Sequence, residues 1–310
     1  MHRKLDTDFT ENTDQKINHN KKRFSLTAWL GWTRTSYALM STFLAVILLI
    51  MVVWWPLVVD YFSTADPRLP LWQQLDGLLL GIFAVMSLLI MAGADLKKDA
   101  WIVLVGLAGG LAIESWGTQT HIWTYFTLER PPLWIIPAWP IASLSIDRLV
   151  RILQKGLPKR VLDAPRLFNI LYWLIFPVFY LLMLVFVWPT LDKSLTWLAL
   201  LACALMILSP TDQRFAVLTF IAGSSLGYFL ERWGTTRECW TYYTYQTPPL
   251  FAVLAHGLAS VAFWRAGLII KQIAGKVFRL QPARRPETSH PVGCSETSHP
   301  ARCSEASQTV

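Results

Sequence analysis

Gly106 to Leu133 reads GLAGGLAIESWGTQTHIWTYFTLERPPL, and Gly223 to Leu250 reads GSSLGYFLERWGTTRECWTYYTYQTPPL. The two stretches align without a gap at an offset of 117 residues. Thirteen positions are identical: Gly106/Gly223, Gly110/Gly227, Glu114/Glu231, Trp116/Trp233, Gly117/Gly234, Thr118/Thr235, Trp123/Trp240, Thr124/Thr241, Tyr125/Tyr242, Thr127/Thr244, Pro131/Pro248, Pro132/Pro249 and Leu133/Leu250. The register runs outward to Asp95/Asp212, Ser143/Ser260 and Arg148/Arg265. Self-similarity at a fixed period marks a structure built twice.

What is built twice follows from composition. Hydrophobic residues make up 54% of the 310, charged residues 15%, and there are 16 tryptophans. Soluble chains carry roughly 25% charged residues, so a soluble enzyme, a secreted disulfide scaffold and a disordered chain are excluded. Eight apolar segments follow one another at 38–59, 77–94, 100–115, 133–152, 168–188, 194–209, 214–230 and 250–272. Most approach the roughly 20 residues that cross a bilayer, with tilt or a protein-lined cavity accommodating the shorter ones.

The net charge of +8 does not describe a nucleic-acid face. Of the 28 lysines and arginines, all but Arg68, Arg130, Lys193, Arg232 and Arg237 fall on one side of an eight-span topology. Basic residues collect on the cytoplasmic side, so both termini are expected inside, in a cell (inner) membrane. Residues 1–37 read as a basic cytoplasmic arm with a lead-in helix, 38–153 as the first membrane repeat, 168–274 as the second, and 281–310 as a disordered cytoplasmic tail. Reporter fusions after Lys22 and after Arg285 are therefore both expected to read cytoplasmic; a periplasmic signal from either overturns the helix count.

An even number of helices per copy makes the copies parallel about an axis along the membrane normal. The expected fold is all-α, two four-helix repeats packed through Gly106, Gly110, Gly223 and Gly227. Both motifs then lie at the outer side.

Each motif places a glutamate near the outer end of a helix, then Trp-Gly-Thr, an aromatic loop and Pro-Pro. Gly117 and Gly234 are expected to end the helix at positive φ, and the prolines to open the next one. A carboxyl at that end faces the negative pole of the helix dipole, the setting of a general acid. Glu114 and Glu231 are thus the candidate catalytic residues. Trp116, Trp123, Tyr125 and Trp139 in the first copy, with Trp233, Trp240, Tyr242 and His256 in the second, are candidate substrate-binding groups: their rings suit an apolar ligand or a developing cation. The plainer alternatives are interface-anchoring rings and glutamates paired with Arg130 or Arg232. His256 falls inside a helix, where an ionisable group is a functional candidate by default, but a hydrogen-bonded packing histidine fits as well.

Other polar groups carry less. Arg148 and Arg265 lie toward inner helix ends, where long side chains snorkel. Asp95 to Asp99 reads as a cytoplasmic turn, because Asp99 becomes Ala216 in the second copy. The tail repeats ETSHPVGCS (287–295) as ETSHPARCS (296–304). His290, Cys294, His299 and Cys303 have zinc-capable chemistry, but the stretch reads as a slipped duplication in a disordered tail. No disulfide, metal or organic cofactor is expected. No helix interior offers a lysine for a retinal Schiff base.

Glu114-Ser-Trp-Gly117, the loop through Trp123 and Tyr125, and Pro132-Leu-Trp-Ile-Ile-Pro137-Ala-Trp139 resemble the signature of carotenoid-biosynthesis membrane proteins of the bisanhydrobacterioruberin/carotenoid hydratase type. The resemblance spans about 30 residues; the second copy carries Leu254, Ala255 and His256 where the first has Pro137, Ala138 and Trp139. It implies a cofactor-independent enzyme adding water to the terminal double bond of an acyclic carotenoid or other isoprenoid lipid. Glu114 would be the proton donor, and Trp116, Trp123, Tyr125 and Trp139 the slot. On this reading the first copy carries the chemistry and the second mainly packs. The alternative is a non-catalytic transporter or lipid-binding membrane protein with its site at the repeat interface.

Overall fold

The computed structural model describes residues 26–53, positions 55, 59, 60, 63 and 68, and residues 75–280. The tail repeat, most of the basic arm and part of the first apolar segment lie outside the described residues. Contacts divide the chain into a compact unit of residues 1–269 and a second unit of residues 270–310. The repeat motifs belong to the first.

The described residues are mostly helical (79%) and form ten α-helices. In order these are α1 (Leu26–Leu30), α2 (Arg34–Val53), α3 (Gly77–Met91), α4 (Leu96–Gln119), α5 (Ala138–Gly156), α6 (Lys159–Leu162), α7 (Pro165–Val187), α8 (Ser194–Leu208), α9 (Gln213–Thr236) and α10 (Leu250–Leu280). Aspartates start three of them. The carboxyls of Asp76, Asp95 and Asp212 accept from the amides of Leu79, of Lys97 and Lys98, and of Phe215. These are ordinary N-caps, satisfying donors that a first turn leaves unpaired.

Among the described residues, three helical stretches are long and apolar enough to cross a membrane: Leu96–Gln119, Pro165–Thr190 and Leu250–Ile273. Gly77–Met91 and Ser194–Leu208 are shorter and apolar. α7 shows what surrounds them. One face buries Phe168, Tyr172, Phe176, Phe179 and Met183, while the opposite face exposes Ile170, Leu174, Val178, Leu181 and Val185, the last at 72%. A helix apolar on both its packed and its exposed face calls for lipid as its solvent.

Small residues set the helix crossings. A Cβ on Gly106 would lie 2.9 Å from Pro140 Cα, and one on Gly223 would lie 2.9 Å from Gly257 Cα. These equivalent contacts join α4 to α5 and α9 to α10. Across the copies, Gly109 of α4 receives the Phe263 ring of α10, which would stand 2.1 Å from an added Cβ. Small residues let helices approach in this way where lipid offers no hydrophobic drive between them.

The structure adds a strand pair that the all-α expectation lacked. β1 (Trp123–Tyr125) and β2 (Trp240–Tyr242) pair antiparallel, Trp123 opposite Tyr242, Thr124 opposite Thr241 and Tyr125 opposite Trp240. Thr124 and Thr241 are themselves equivalents, so the local two-fold of the ladder passes between them. Phe126 N–H donates to the Cys239 carbonyl and, symmetrically, Tyr243 N–H donates to the Ile122 carbonyl. The two motifs therefore meet at one end of the molecule.

Two helix-end expectations need correction. Gly117 and Gly234 lie inside α4 and α9, not beyond them, and the left-handed residues are His121 (φ 61°) and Glu238 (φ 54°). Their amides bond back to the Thr118 and Thr235 carbonyls. The Pro-Pro pair opens α10 directly, but in the first copy a 3₁₀ turn (Leu133–Ile135) intervenes and α5 starts only at Ala138.

At the other end, Asp99 sits in the first turn of α4 rather than in a turn, and Arg148 of α5 does not snorkel. It is buried, at 1% exposure, and donates at 2.6 Å to both Asp99 and Asp147. Asp147 also holds Arg151 at 2.7 Å. Arg265 follows a different course, donating to the Met206 carbonyl and the Ser209 hydroxyl.

Candidate functional site

Glu114 sits five residues before the end of α4, and its side chain points into the space enclosed by α5 and β1. Three donors converge on it. Trp123 Nε1 and Tyr125 Oη reach one carboxyl oxygen at 3.1 and 3.0 Å, and Trp139 Nε1 reaches the other at 3.0 Å. Glu231 is held in the same frame. Trp240 Nε1 donates to one oxygen at 2.9 Å, Tyr242 Oη donates to the other at 3.0 Å, and His256 Nε2 lies 3.0 Å from that second oxygen. Both carboxyls are buried, at 3% and 4% exposure.

Local backbone geometry delivers these donors. Strand alternation turns Trp123 and Tyr125 to one side of β1, and Trp240 and Tyr242 to one side of β2. Each indole then lies over the glycine one turn after its glutamate. A Cβ on Gly117 would fall 1.8 Å from the Trp123 ring, and one on Gly234 would fall 2.0 Å from the Trp240 ring. This close approach is why glycine stands there, in place of the helix-ending role expected of it. Thr118 and Thr235 donate to the backbone carbonyls of the two glutamates, each at 2.6 Å.

The two clusters interlock. Trp123 packs on Tyr242, and Tyr125 on Trp240, both with ring centroids 5.9 Å apart. Trp139 and His256, which occupy the same frame, stack on each other at 5.6 Å. Burial and the adjacent Glu114 carboxyl hold the Tyr125 phenol well above its ordinary value, and burial with Glu231 does the same for Tyr242. Both tyrosines are therefore neutral donors.

All ten sequence candidates thus gather here, but not all in the expected posture. Trp123, Tyr125, Trp139, Trp240, Tyr242 and His256 aim polar atoms at the carboxyls. Neither glutamate pairs with an arginine: Arg130 contacts His121 Nε2 at 3.1 Å, and Arg232 donates to the Thr247 carbonyl at 3.0 Å. Trp116 and Trp233 stand behind the clusters, and their surroundings differ. Trp233 Nε1 donates to Asp76 at 2.9 Å, and Arg237 joins the same carboxyl at 3.0 Å. Against a desolvation that acts upward, the Leu79 amide, Trp233 and Arg237 hold Asp76 below the usual carboxylate range. Trp116 Nε1 has no hydrogen-bond partner among the described residues. The frame equivalent to Asp76 is Lys193, which offers no acceptor.

Asp76 was not singled out in the sequence, and nothing there marked it: it precedes the first motif and serves the second. Beside Thr118, Trp123 and Tyr125 a void of about 10 Å³ reaches Arg130. That is space for about one water. Among the described residues no group of three or more His, Cys, Asp or Glu could hold a metal ion.

Comparison of the chain with family models, with curated proteins and with solved structures returns no match. The class of the protein rests on its own geometry.

Proposed function

We propose that the chain is a multi-pass membrane protein of two parallel four-helix repeats, with eight spans and both termini cytoplasmic. It hydrates an acyclic carotenoid or other isoprenoid at an acid centre between the repeats. One observation carries the reading: two carboxyls, buried at the meeting point of the repeats, are each enclosed by tryptophan and tyrosine side chains. Burying a carboxyl among lipid-facing helices is costly, and such groups mark proton or substrate chemistry by default. Structural locking alone would be served by an uncharged pair, without the cost of desolvating two acids.

The chemistry follows from the parts. Protonation of an alkene leaves a tertiary cation; aromatic faces stabilise it until water adds. Trp123, Tyr125 and Trp139 on one side, with Trp240 and Tyr242 on the other, supply the rings. In the packed arrangement the void beside them suits one water and no isoprenoid end, so substrate enters by parting the loops that flank the strand pair. Entry from the bilayer needs no aqueous path.

The test begins with lipid and pigment profiles of a deletion strain, which identify the accumulating substrate. Product formation is then followed in membranes holding matched amounts of wild type and the Glu114→Gln/Glu231→Gln double variant. Loss of about 10²–10⁴-fold is expected for removal of the acid. Full activity in the double variant refutes the reading. An unchanged lipid profile, with altered distribution of a solute across the membrane, favours a transporter.

A further inference from the structure

The two clusters differ in chemistry at one position. Trp139 and His256 share a frame, stack on each other, and contact Glu114 and Glu231 respectively. Every other donor to the carboxyls is the same in both copies. An indole N–H only donates and does not ionise in the physiological range, whereas an imidazole can both take up and release a proton. Glu114 thus faces Trp123, Trp139 and a phenol held neutral. None of these can resupply a proton that Glu114 gives away.

Glu231 has such a partner. The titratable groups around His256 are Glu231 on α9 and Tyr242 on β2, with Glu114 on α4 and Tyr125 on β1 beyond the stacked Trp139. Of these, only Glu231 is within hydrogen-bond reach of the imidazole, at 3.0 Å and with 18% and 5% side-chain exposure for the histidine and the glutamate. The second cluster is also the more firmly held: Asp76 ties Trp233 and Arg237 behind it, while among the described residues Trp116 Nε1 behind the first finds no hydrogen-bond partner.

We propose that Glu231 and His256 form the proton-exchanging dyad of the molecule, and that Glu114 with Trp139 is its non-exchanging twin. This rests on the acid-centre reading above and reverses the division of labour expected from sequence, which placed the chemistry in the first copy. In the reaction the Glu231 carboxyl gives its proton to an alkene carbon as the π pair forms the new C–H bond. Water captures the cation, and the proton it then sheds returns to Glu231 through His256. Alkene plus water gives alcohol, and the dyad ends in its starting state. Glu231 and His256 are both catalytic in this step: Glu231 delivers the proton and His256 takes it from the captured water.

The experiment needs no substrate, so it can fail independently of the activity test. Infrared spectra of the full chain in lipid nanodiscs are recorded across pH, following the protonated-carboxyl band and the bands of isotope-labelled histidine. A carboxyl band that titrates in wild type should vanish in Glu231→Gln and persist in Glu114→Gln. Its midpoint should move by about one pH unit or more in His256→Gln, since that replacement keeps an N–H donor but removes the titrating partner. His256→Trp, which restores the residue of the first copy, should reproduce that shift. An unshifted midpoint in both His256 variants, or loss of the band in Glu114→Gln, overturns the proposal.

Discussion

Gly117→Ala is expected to unfold the first cluster, and Gly234→Ala the second. In each case the new methyl would sit 1.8 or 2.0 Å from the six-membered ring of the indole that donates to the adjacent glutamate. The ring cannot retreat freely. Trp123 is fixed by its bond to Glu114, by the Tyr242 ring across the ladder and by Trp116 at 6.0 Å. Displacing it breaks the Glu114 bond and disturbs the β1–β2 pairing together. Overpacking a tight core typically costs about 1–3 kcal/mol. Leaving a buried hydrogen-bonding partner unsatisfied adds about 1–3 kcal/mol. A fall of several kcal/mol in unfolding free energy, read by detergent-denaturation of purified protein in micelles, is the expected result. As a control, Gly156→Ala meets nothing within 4 Å and should leave stability unchanged or slightly raised. A Gly117→Ala protein as stable as wild type would show that the indole does not lie where the structure has it.

This glycine also shows where sequence reading stops. Its identity in both copies was plain, and so was the link to the glutamate three residues earlier. Its purpose was not, since a glycine near a helix end suggests a cap by default. Only the strand that carries Trp123 back over α4 reveals the steric reason. That strand was itself hard to foresee: three residues, Trp-Thr-Tyr, are too few for a period to register. The cue, in retrospect, was that both copies hold the same β-favouring triplet and that a triplet can pair antiparallel with its own equivalent.

The long elements were legible because they rest on local composition. The apolar segments from 77 onward became α3, α4, α5, α7, α8, α9 and α10, with ends displaced by up to eight residues. The gathering of Glu114 and Glu231 into matching environments was legible from the repeat. What joins them was not. The Trp139–His256 stack, the reach of Asp76 to Trp233 across 157 positions and the burial of Arg148 each depend on helices brought together by tertiary packing. No local pattern encodes such partners.

Arg148 supplies the second large effect, and the repeat provides its own control. In the first copy the guanidinium is buried and shared by two carboxylates, Asp99 on α4 and Asp147 on α5. In the second copy those acid frames hold Ala216 and Trp264, and Arg265 meets a backbone carbonyl and a serine instead. Arg148→Met keeps the length of the stem but strands Asp99, which is only 13% exposed, while Asp147 keeps Arg151. Removing one member of a buried pair costs about 3–5 kcal/mol, because the remaining charge is left uncompensated. Arg265→Met strands no charge and should cost about 1–2 kcal/mol, in keeping with the loss of ordinary hydrogen bonds. Adding Asp99→Ala to Arg148→Met should recover part of the loss by removing the stranded acid, and it also recreates the second copy's Ala216 in the first. The measurement is the unfolding midpoint of all three variants in one detergent system. Equal losses from Arg148→Met and Arg265→Met would mean that the two arginines contribute alike, and that the acids around Arg148 add nothing. A larger loss in the double variant than in Arg148→Met would mean that Asp99 stabilises α4 through its bond to the Asp95 amide, at 3.0 Å, more than it is penalised by losing its arginine.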